Sequence, residues 1–178
     1  MAVISLGGIV ASKSIRIAGD EMDGAIVQHM KTTYNLLIGE QTAERIKINI
    51  GSASPLEKEM TMEVGGRDLV AARPRKVIIN SEEIREALKG PIDAIIQAIK
   101  ECLEKTLPEL SADLINNGIT LVGGGALLRG LDKAIAKDVQ IPVRVDDEPL
   151  TAVAKGTGIV LENLDQIMES LESGEDLL

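Results

Sequence analysis

The stretch that decides the fold class is Leu121-Val122-Gly123-Gly124-Gly125-Ala126-Leu127-Leu128-Arg129-Gly130-Leu131. An apolar strand end, three consecutive glycines and an apolar run with helical spacing predict a strand-loop-helix unit. Because glycine has no Cβ, such a loop lets a ligand approach the backbone, and amides that open a helix suit phosphate oxygens. The loop has neither the Lys-Ser/Thr of a P-loop nor the spaced glycines of a dinucleotide fold. Packing alone is an equally good explanation of these glycines at this point.

Composition places the chain among aliphatic α/β proteins and excludes several function classes. The 178 residues are 44% hydrophobic, yet they include no Trp, no Phe and a single tyrosine, Tyr34. A core of Ile, Leu, Val, Ala and Met is typical of an α/β fold, here one domain or two small lobes. The net charge of −9 excludes a dense basic surface for nucleic acid. Lacking an apolar run of about 20 residues or a signal segment, the protein is expected to be cytoplasmic.

The single cysteine and single histidine are both interpreted as structural. Cys102 shares helical spacing with Ile95 and Ile99, so we expect a buried thiol and neither a nucleophile nor a disulfide. His29 has no metal-ligating or catalytic companion in the pattern, and a surface or packing role is expected for it. Neither residue therefore predicts a catalytic or a metal site.

Hydrophobic periodicity predicts the elements of the first half of the chain. The first predicted hairpin turns at Gly7-Gly8, and its second strand is longer than its first, which suggests a fragment cut on its N-terminal side. A second hairpin is expected to turn at Gly65-Gly66, with Pro74 at an edge or a bulge. Thr42 is one possible N-cap of the second helix, and Gly51 its stop. The predicted elements are strands Ala2–Leu6 and Ile9–Ile17, helices Glu21–Leu36 and about Gly39–Ile50, and strands Glu59–Val64 and Arg67–Asn80.

In the second half, strands and helices alternate. A capped helix is predicted from Asn80-Ser81, with an interruption at Gly90-Pro91 and a further helix that ends at Leu107-Pro108. A short turn with Leu114 and Ile115 then leads to the strand before the glycines. The remaining predictions are a strand Ile119–Val122, a helix marked by Leu128, Leu131 and Ile135, a strand Pro142–Val145, a helix Leu150–Leu161, and an acidic helical tail Glu162–Leu178.

Several motifs in this order resemble the C-terminal half of the bacterial MreB family of rod-shape actin homologues, in the actin, Hsp70 and sugar-kinase superfamily. The resemblance extends over nearly the whole chain, and the order and spacing of its motifs are highly specific. They are Val3-Ile4-Ser5-Leu6-Gly7-Gly8-Ile9-Val10, Ala18-Gly19-Asp20-Glu21-Met22-Asp23, Tyr34-Asn35-Leu36-Leu37-Ile38-Gly39-Glu40, Ala43-Glu44-Arg45-Ile46-Lys47, the glycine stretch, and Asp147-Glu148-Pro149-Leu150-Thr151-Ala152-Val153-Ala154-Lys155-Gly156-Thr157-Gly158.

The resemblance implies a fold and a domain division. The expected fold is half of an actin-like, ribonuclease-H-like α/β ATPase, with a mixed sheet, flanking helices and a smaller α+β lobe. Residues 1–32 and 91–178 would form subdomain IIA, and residues 33–90 subdomain IIB.

The resemblance also implies a nucleotide site that takes ATP or ADP. Gly123, Gly124 and Gly125 would form the adenosine loop, and Leu127 would lie near the adenine. Gly19 matches the turn at which the backbone passes the nucleotide. Glu44 and Lys47 match helix positions that line the nucleoside and touch the ribose hydroxyls.

Other interpretations of the charged candidates stay open at the level of sequence. Glu44 and Lys47 are three residues apart on a predicted helix, where a solvated ion pair is common. Asp20 and Asp23 are at least as well suited to helix capping as to ligand contact.

One departure from the family limits the expected chemistry. The phosphate loops and catalytic acid of the family's first half have no counterpart here, so we expect no ATP hydrolysis by this chain alone, and magnesium binding only when the N-terminal half is supplied. The family's membrane-binding elements are missing too, so no direct membrane contact is expected.

The leading interpretation is a cytoskeletal protein that self-associates through actin-like longitudinal surfaces and determines rod cell shape. Rod-system membrane proteins are possible partners. Two alternatives remain: half of another superfamily ATPase or kinase, and an interaction fragment that binds no nucleotide.

Overall fold

The computed structural model describes residues 1–163, and contacts divide the chain into two compact units. Unit 1 comprises Met1–Arg16, Ile95–Ala126 and the chain from Ile135 onward, and unit 2 comprises Ile17–Ala94 and Leu127–Ala134. The assignment of residues 1–32 and 91–178 to IIA and 33–90 to IIB stays a prediction. The elements are β1 (Ala2–Ser5), β2 (Gly8–Ser12), α1 (Gly19–Tyr34), β3 (Leu36–Leu37), α2 (Glu40–Ile50), β4 (Thr61–Asp68), β5 (Pro74–Asn80), α3 (Ser81–Glu104), α4 (Pro108–Asn117), β6 (Ile119–Leu121), α5 (Leu131–Val139), β7 (Val143–Val145) and α6 (Ala152–Glu162).

In unit 2, α1 buries the apolar stripe that its sequence predicts. Met22, Ile26 and Met30 are at most 2% exposed, and burying side chains of this size contributes about 1.5–3 kcal/mol each. The helix ends at Tyr34 because Asn35 is in the left-handed conformation, with φ 50°, which asparagine tolerates better than most residues. The predicted end at Leu36 was therefore wrong, since Leu36 begins β3.

Glycines cap helix α2 at both ends. Gly39 is its N-cap and no side chain caps it, so the prediction of Thr42 as the cap was wrong. The predicted stop at Gly51 is confirmed. A Cβ at Gly51 would overlap the Lys47 carbonyl, which explains the choice of glycine there.

Strands β3, β4 and β5 form an antiparallel sheet in that order. The prediction of a turn at Gly65-Gly66 was wrong, because both residues lie inside β4 and pair with Lys76 and Arg75. Gly66 is needed for packing, since a Cβ there would lie 2.6 Å from the Leu37 carbonyl oxygen.

The turn between β4 and β5 follows Asp68. Its Oδ1 accepts hydrogen bonds from the Ala71 and Val70 amides, at 2.9 and 2.8 Å, and these bonds lower the Asp68 pKa. Pro74 then begins the edge strand β5, which confirms the predicted edge position.

In unit 1, β1 and β2 form the predicted hairpin with a different turn. Leu6 and Gly7 have φ of 51° and 82°, so these two residues, and not Gly7-Gly8, occupy the turn positions that require positive φ. Strand β2 ends at Ser12, and the expected extension to Ile17 was wrong.

Helix α3 is continuous from Ser81 to Glu104 and passes through Gly90-Pro91. The predicted interruption was wrong because the apolar stripe continues across it: Ile92, Ile96 and Ile99 are at most 8% exposed. Glycine before the proline also removes the Cβ that clashes with the proline ring in a helix. Cys102 lies on the same stripe and is buried, as predicted.

The rest of unit 1 alternates helices with two short parallel strands, β6 and β7. The predicted short turn around Leu114 and Ile115 is instead the helix α4, with Pro108 in its first turn, where a proline is tolerated. Within residues 1–163, no helix is both long enough and apolar enough to cross a membrane. The predicted tail Glu162–Leu178 lies outside the described residues beyond Asn163.

Candidate functional site

The glycine loop of unit 1 follows β6 and is anchored by backbone hydrogen bonds. Gly123 has φ +83°, and its N–H donates to the Pro149 carbonyl at 2.7 Å. Gly124–Leu127 form one turn of 3-10 helix, and α5 begins only at Leu131. The prediction that the glycines open an α-helix was therefore wrong, and the loop presents a 3-10 turn instead.

Only one of the three glycines is required by the protein's own structure. Gly123 is required by its positive φ. A Cβ at Gly124 would make an ordinary contact, 3.5 Å from Leu150 Cδ2, and a Cβ at Gly125 would meet no atom within 4 Å. Both residues are exposed. Packing within the described residues therefore does not explain why these two positions are glycines.

Leu127 belongs to unit 2, in a segment that Arg129 ties to α2. The Arg129 guanidinium donates to the Ile48 carbonyl at 2.8 Å, at the C-terminal end of α2, where a cation is favourable. Ala53 N–H donates to the Arg129 carbonyl at 2.7 Å. Leu127 is 55% exposed, so its apolar side chain is available to a flat ligand.

In unit 2, α1 and α2 bring together Gly19, Asp23 and Lys47. Lys47 Nζ lies 2.9 Å from Asp23 Oδ2 and 3.0 Å from the Gly19 carbonyl oxygen. The Lys47 and Asp23 side chains are 16% and 12% exposed. Gly19 and Lys47, two of the predicted site residues, therefore meet directly.

These contacts exclude the helix-cap and i,i+3 ion-pair interpretations of the charged residues, whereas ligand contact stays a prediction. Asp23 forms no cap, because α1 has no side-chain cap hydrogen bond. Lys47 pairs with Asp23 and not with Glu44, which is exposed. The interpretation of Glu44 and Lys47 as an i,i+3 ion pair was therefore wrong.

The Asp23–Lys47 pair is the contact of the candidate site that sequence reasoning missed. A signal for it exists, because Asp23 shares a helix face with the buried Ile26 and Met30. A carboxylate on a buried face needs a partner. The spacing shows that Asp23 needs one, but not that Lys47, 24 residues away, supplies it.

A second polar cluster lies at the C-terminal end of α1. Glu83 Oε2 accepts from Tyr34 Oη at 2.7 Å and lies 3.1 Å from His29 Nε2. Glu83 Oε1 accepts from the Asn80 amide at 2.7 Å. Burial opposes ionisation of Glu83, yet these hydrogen bonds outweigh it and lower the Glu83 pKa. His29 therefore has the expected packing role.

Burial and the neighbouring Glu83 carboxylate both shift the pKa of Tyr34 upward. Burial is the larger cause, and together with the hydrogen bond and charge of Glu83 it raises the pKa of Tyr34 to about 12. Tyr34 therefore keeps its proton in the bond to Glu83 at neutral pH.

No group of three His, Cys, Asp or Glu side chains in residues 1–163 is placed to hold a metal ion. The carboxylates of the two clusters instead contact Lys47, Tyr34 and His29.

Comparison with known proteins identifies close relatives. The profile of the MreB/Mbl protein family matches residues 1–169. The chain is 47% identical over 167 residues to the cell shape-determining protein Mbl of Bacillus subtilis (strain 168), covering 94% of this chain and 50% of that protein. It is 48% identical over 165 residues to the cell shape-determining protein MreB of Escherichia coli (strain K12), covering 93% of this chain and 48% of that one.

The fold also matches two solved structures of one relative. Crystal structures of MreB5 of Spiroplasma citri bound to AMPPNP and to ADP superpose with TM-scores of 0.89 and 0.90 at 40% identity. The matches cover 94% of this chain and 50% and 51% of those chains. The predicted actin-like α/β fold is confirmed. The chain spans about half the length of the curated relatives it matches.

Proposed function

This chain belongs to the MreB/Mbl protein family, and from that premise we propose that it carries the adenosine contacts of an ATP or ADP site in an actin-like, cell shape-determining filament protein. Structures of MreB5 of Spiroplasma citri with AMPPNP and ADP support the ligand class. The proposal assigns these contacts to Gly19, Glu44, Lys47 and Leu127, which all belong to unit 2, and to the glycine loop of unit 1.

The observation that carries the proposal is the pair of glycines at 124 and 125. Both are exposed, and within residues 1–163 neither is explained by a positive φ or by a neighbouring atom that a Cβ would overlap. A bare backbone that the protein's own packing does not require is suited to close approach by a ligand.

The side chains of unit 2 add the polar groups that a nucleoside needs. Lys47 has three N–H donors, of which the contacts with Asp23 and Gly19 use two. The exposed Glu44 carboxylate can accept from a hydroxyl. Together they match the donor and acceptor pattern of a ribose. Because residues 1–163 contain no cluster of metal ligands, the proposal assigns no magnesium ligand to them.

The glycine loop can be tested by adding a side chain to it. In titration calorimetry with ADP, we expect Gly125→Val to weaken binding about tenfold or more, because the new side chain blocks approach to the backbone. The matched control is Gly65→Val. Gly65 is exposed in β4, and a Cβ there meets only Lys76 Cγ at 3.9 Å.

The outcomes of this titration separate the alternatives. Equal ADP affinity in both valine variants and in the parent chain contradicts the assignment of the loop. A folded, monodisperse parent chain that binds no ADP favours the alternative of an interaction fragment without nucleotide.

We further propose that the chain self-associates, as expected of an actin-like subunit. The β1–β2 hairpin supports this with exposed apolar side chains: Leu6 is fully exposed, and Ile4 is 68% exposed. Light scattering after size-exclusion chromatography should show species larger than a monomer as concentration rises, and Leu6→Glu should reduce them. A monomer at every concentration contradicts this proposal. A cytoplasmic location and contact with rod-system membrane proteins stay predictions.

A further inference from the structure

The Asp23–Lys47 pair has features that mere stabilisation of the fold does not explain. The Asp23 side chain is 12% exposed, so its carboxylate is largely removed from water. Only Oδ2 has a partner, while Oδ1 is buried without a hydrogen-bond partner among residues 1–163. A buried ion pair with an unsatisfied oxygen is a poor source of stability, because the cost of desolvation is only partly recovered.

The same contacts fix the position of the Lys47 ammonium. A lysine side chain has many rotamers, and holding its end in one place costs conformational entropy. Asp23 Oδ2 and the Gly19 carbonyl oxygen accept from Nζ at 2.9 and 3.0 Å, from two turns of α1. In this arrangement Lys47 loses its conformational entropy on folding and not on ligand binding. One N–H of the ammonium remains and points in a defined direction.

Gly19 contributes to the same arrangement by its lack of a side chain. A Cβ at residue 19 would lie 3.2 Å from Lys47 Nζ, so the ammonium would have to shift by a few tenths of an ångström. The first turn of α1 therefore both accepts from Lys47 and leaves room for it.

We infer that Asp23 is a positioning residue that holds the Lys47 ammonium in place for a nucleotide. The inference rests on the proposed function, because it gives Asp23 a role in the same site. It assigns to Asp23 neither capping nor direct contact with the ligand.

The test is a double-mutant cycle measured by titration with ADP. Asp23→Ala should weaken ADP binding about tenfold, because Lys47 must then be ordered by the ligand. In a Lys47→Ala background the same substitution should cause no further loss. Asp23→Asn should lose less, since its amide oxygen can still accept from Nζ. Asp93→Asn, an exposed substitution on α3, should leave the affinity unchanged.

A second readout needs no nucleotide. The acylation rate of Lys47 by an amine-reactive reagent, followed by mass spectrometry, should rise severalfold in Asp23→Ala and less in Asp23→Asn. Exposed Lys31 on α1 provides the reference rate and should not change.

The outcomes distinguish this inference from the proposed function. If the parent chain binds ADP but the losses from Asp23→Ala and Lys47→Ala are additive, or the acylation of Lys47 is unchanged, the inference is wrong and the proposed function stands. Tighter ADP binding by Asp23→Ala also overturns it. If the folded parent chain binds no ADP, the proposed function fails and this inference fails with it.

Discussion

The two ends of helix α1 hold polar clusters that are built differently. At the C-terminal end, both carboxylate oxygens of Glu83 have partners within the protein, including Tyr34 and the Asn80 amide. At the N-terminal end, Asp23 Oδ1 has none among the described residues. Because buried polar groups are normally satisfied, the first cluster (His29, Tyr34 and Glu83) has the character of a structural network, and we call it the closed cluster. The second (Gly19, Asp23 and Lys47) is only partly satisfied, and we call it the open cluster.

This comparison predicts unequal effects on stability. Glu83→Ala should lower the free energy of unfolding by about 3 kcal/mol, because it removes three hydrogen bonds and leaves the Tyr34 hydroxyl without its acceptor. Urea unfolding measures the change, and Glu82→Ala, an exposed neighbour in the same helical turn, is the control. Equal midpoints for the two variants would show that the network is not structural.

Tyr34 allows the closed cluster to be examined by titration. It is the only aromatic side chain apart from His29, so phenolate absorbance reports it alone. We expect a midpoint near pH 12 in the folded chain, compared with the ordinary value of 10.0. Glu83→Gln should lower this midpoint, because it removes the acceptor's charge. A midpoint near the ordinary value in the parent chain would contradict the described cluster.

The shifted pKa values of Tyr34 and Glu83 make the stability of the folded chain depend on pH. Because the folded pKa of Tyr34 is raised, its contribution is complete below the unfolded value of 10.0 and is lost as the pH rises towards 12. For Glu83 the folded pKa is lowered, so its contribution is present above the unfolded value and is lost as the pH falls through the folded pKa. In Glu83→Gln, urea midpoints should lose the acid dependence, and the alkaline dependence should shrink but persist because Tyr34 is still buried.

The smallest effect on stability is expected at the open cluster. Replacing both partners, Asp23→Leu with Lys47→Met, should change the free energy of unfolding by less than about 1 kcal/mol, because the desolvation cost of the pair disappears with its attraction. The same double variant should lose ADP affinity. A loss of stability comparable to that of Glu83→Ala would indicate that the pair serves the fold.

Sequence patterns predicted best which residues of a single helix or strand are buried. Met22, Ile26 and Met30 on α1 are at most 2% exposed, as their spacing predicted. Ile92, Ile96 and Ile99 on α3 are at most 8% exposed. Turn positions were harder to predict, because glycine is required for different structural reasons at different positions. At Gly7 it permits a positive φ, whereas at Gly66 it permits close packing against β3.

The candidate site could be predicted only in part, because its contacts depend on how two helices pack against each other. Its individual residues followed from the resemblance of the motifs to the family. The partner of Lys47 did not, since an i,i+3 carboxylate is the nearest candidate along the chain. The actual partner depends on how α1 packs against α2, which no local pattern records.

We propose above all that Lys47 and the exposed glycines contact an adenine nucleotide. Calorimetric titration of the monodisperse, folded chain with ADP, beside Lys47→Ala, tests it most directly. We expect saturable binding that Lys47→Ala weakens about tenfold, the contribution of one charge-assisted hydrogen bond. Absence of binding by the folded chain, or the same affinity in Lys47→Ala, would contradict it.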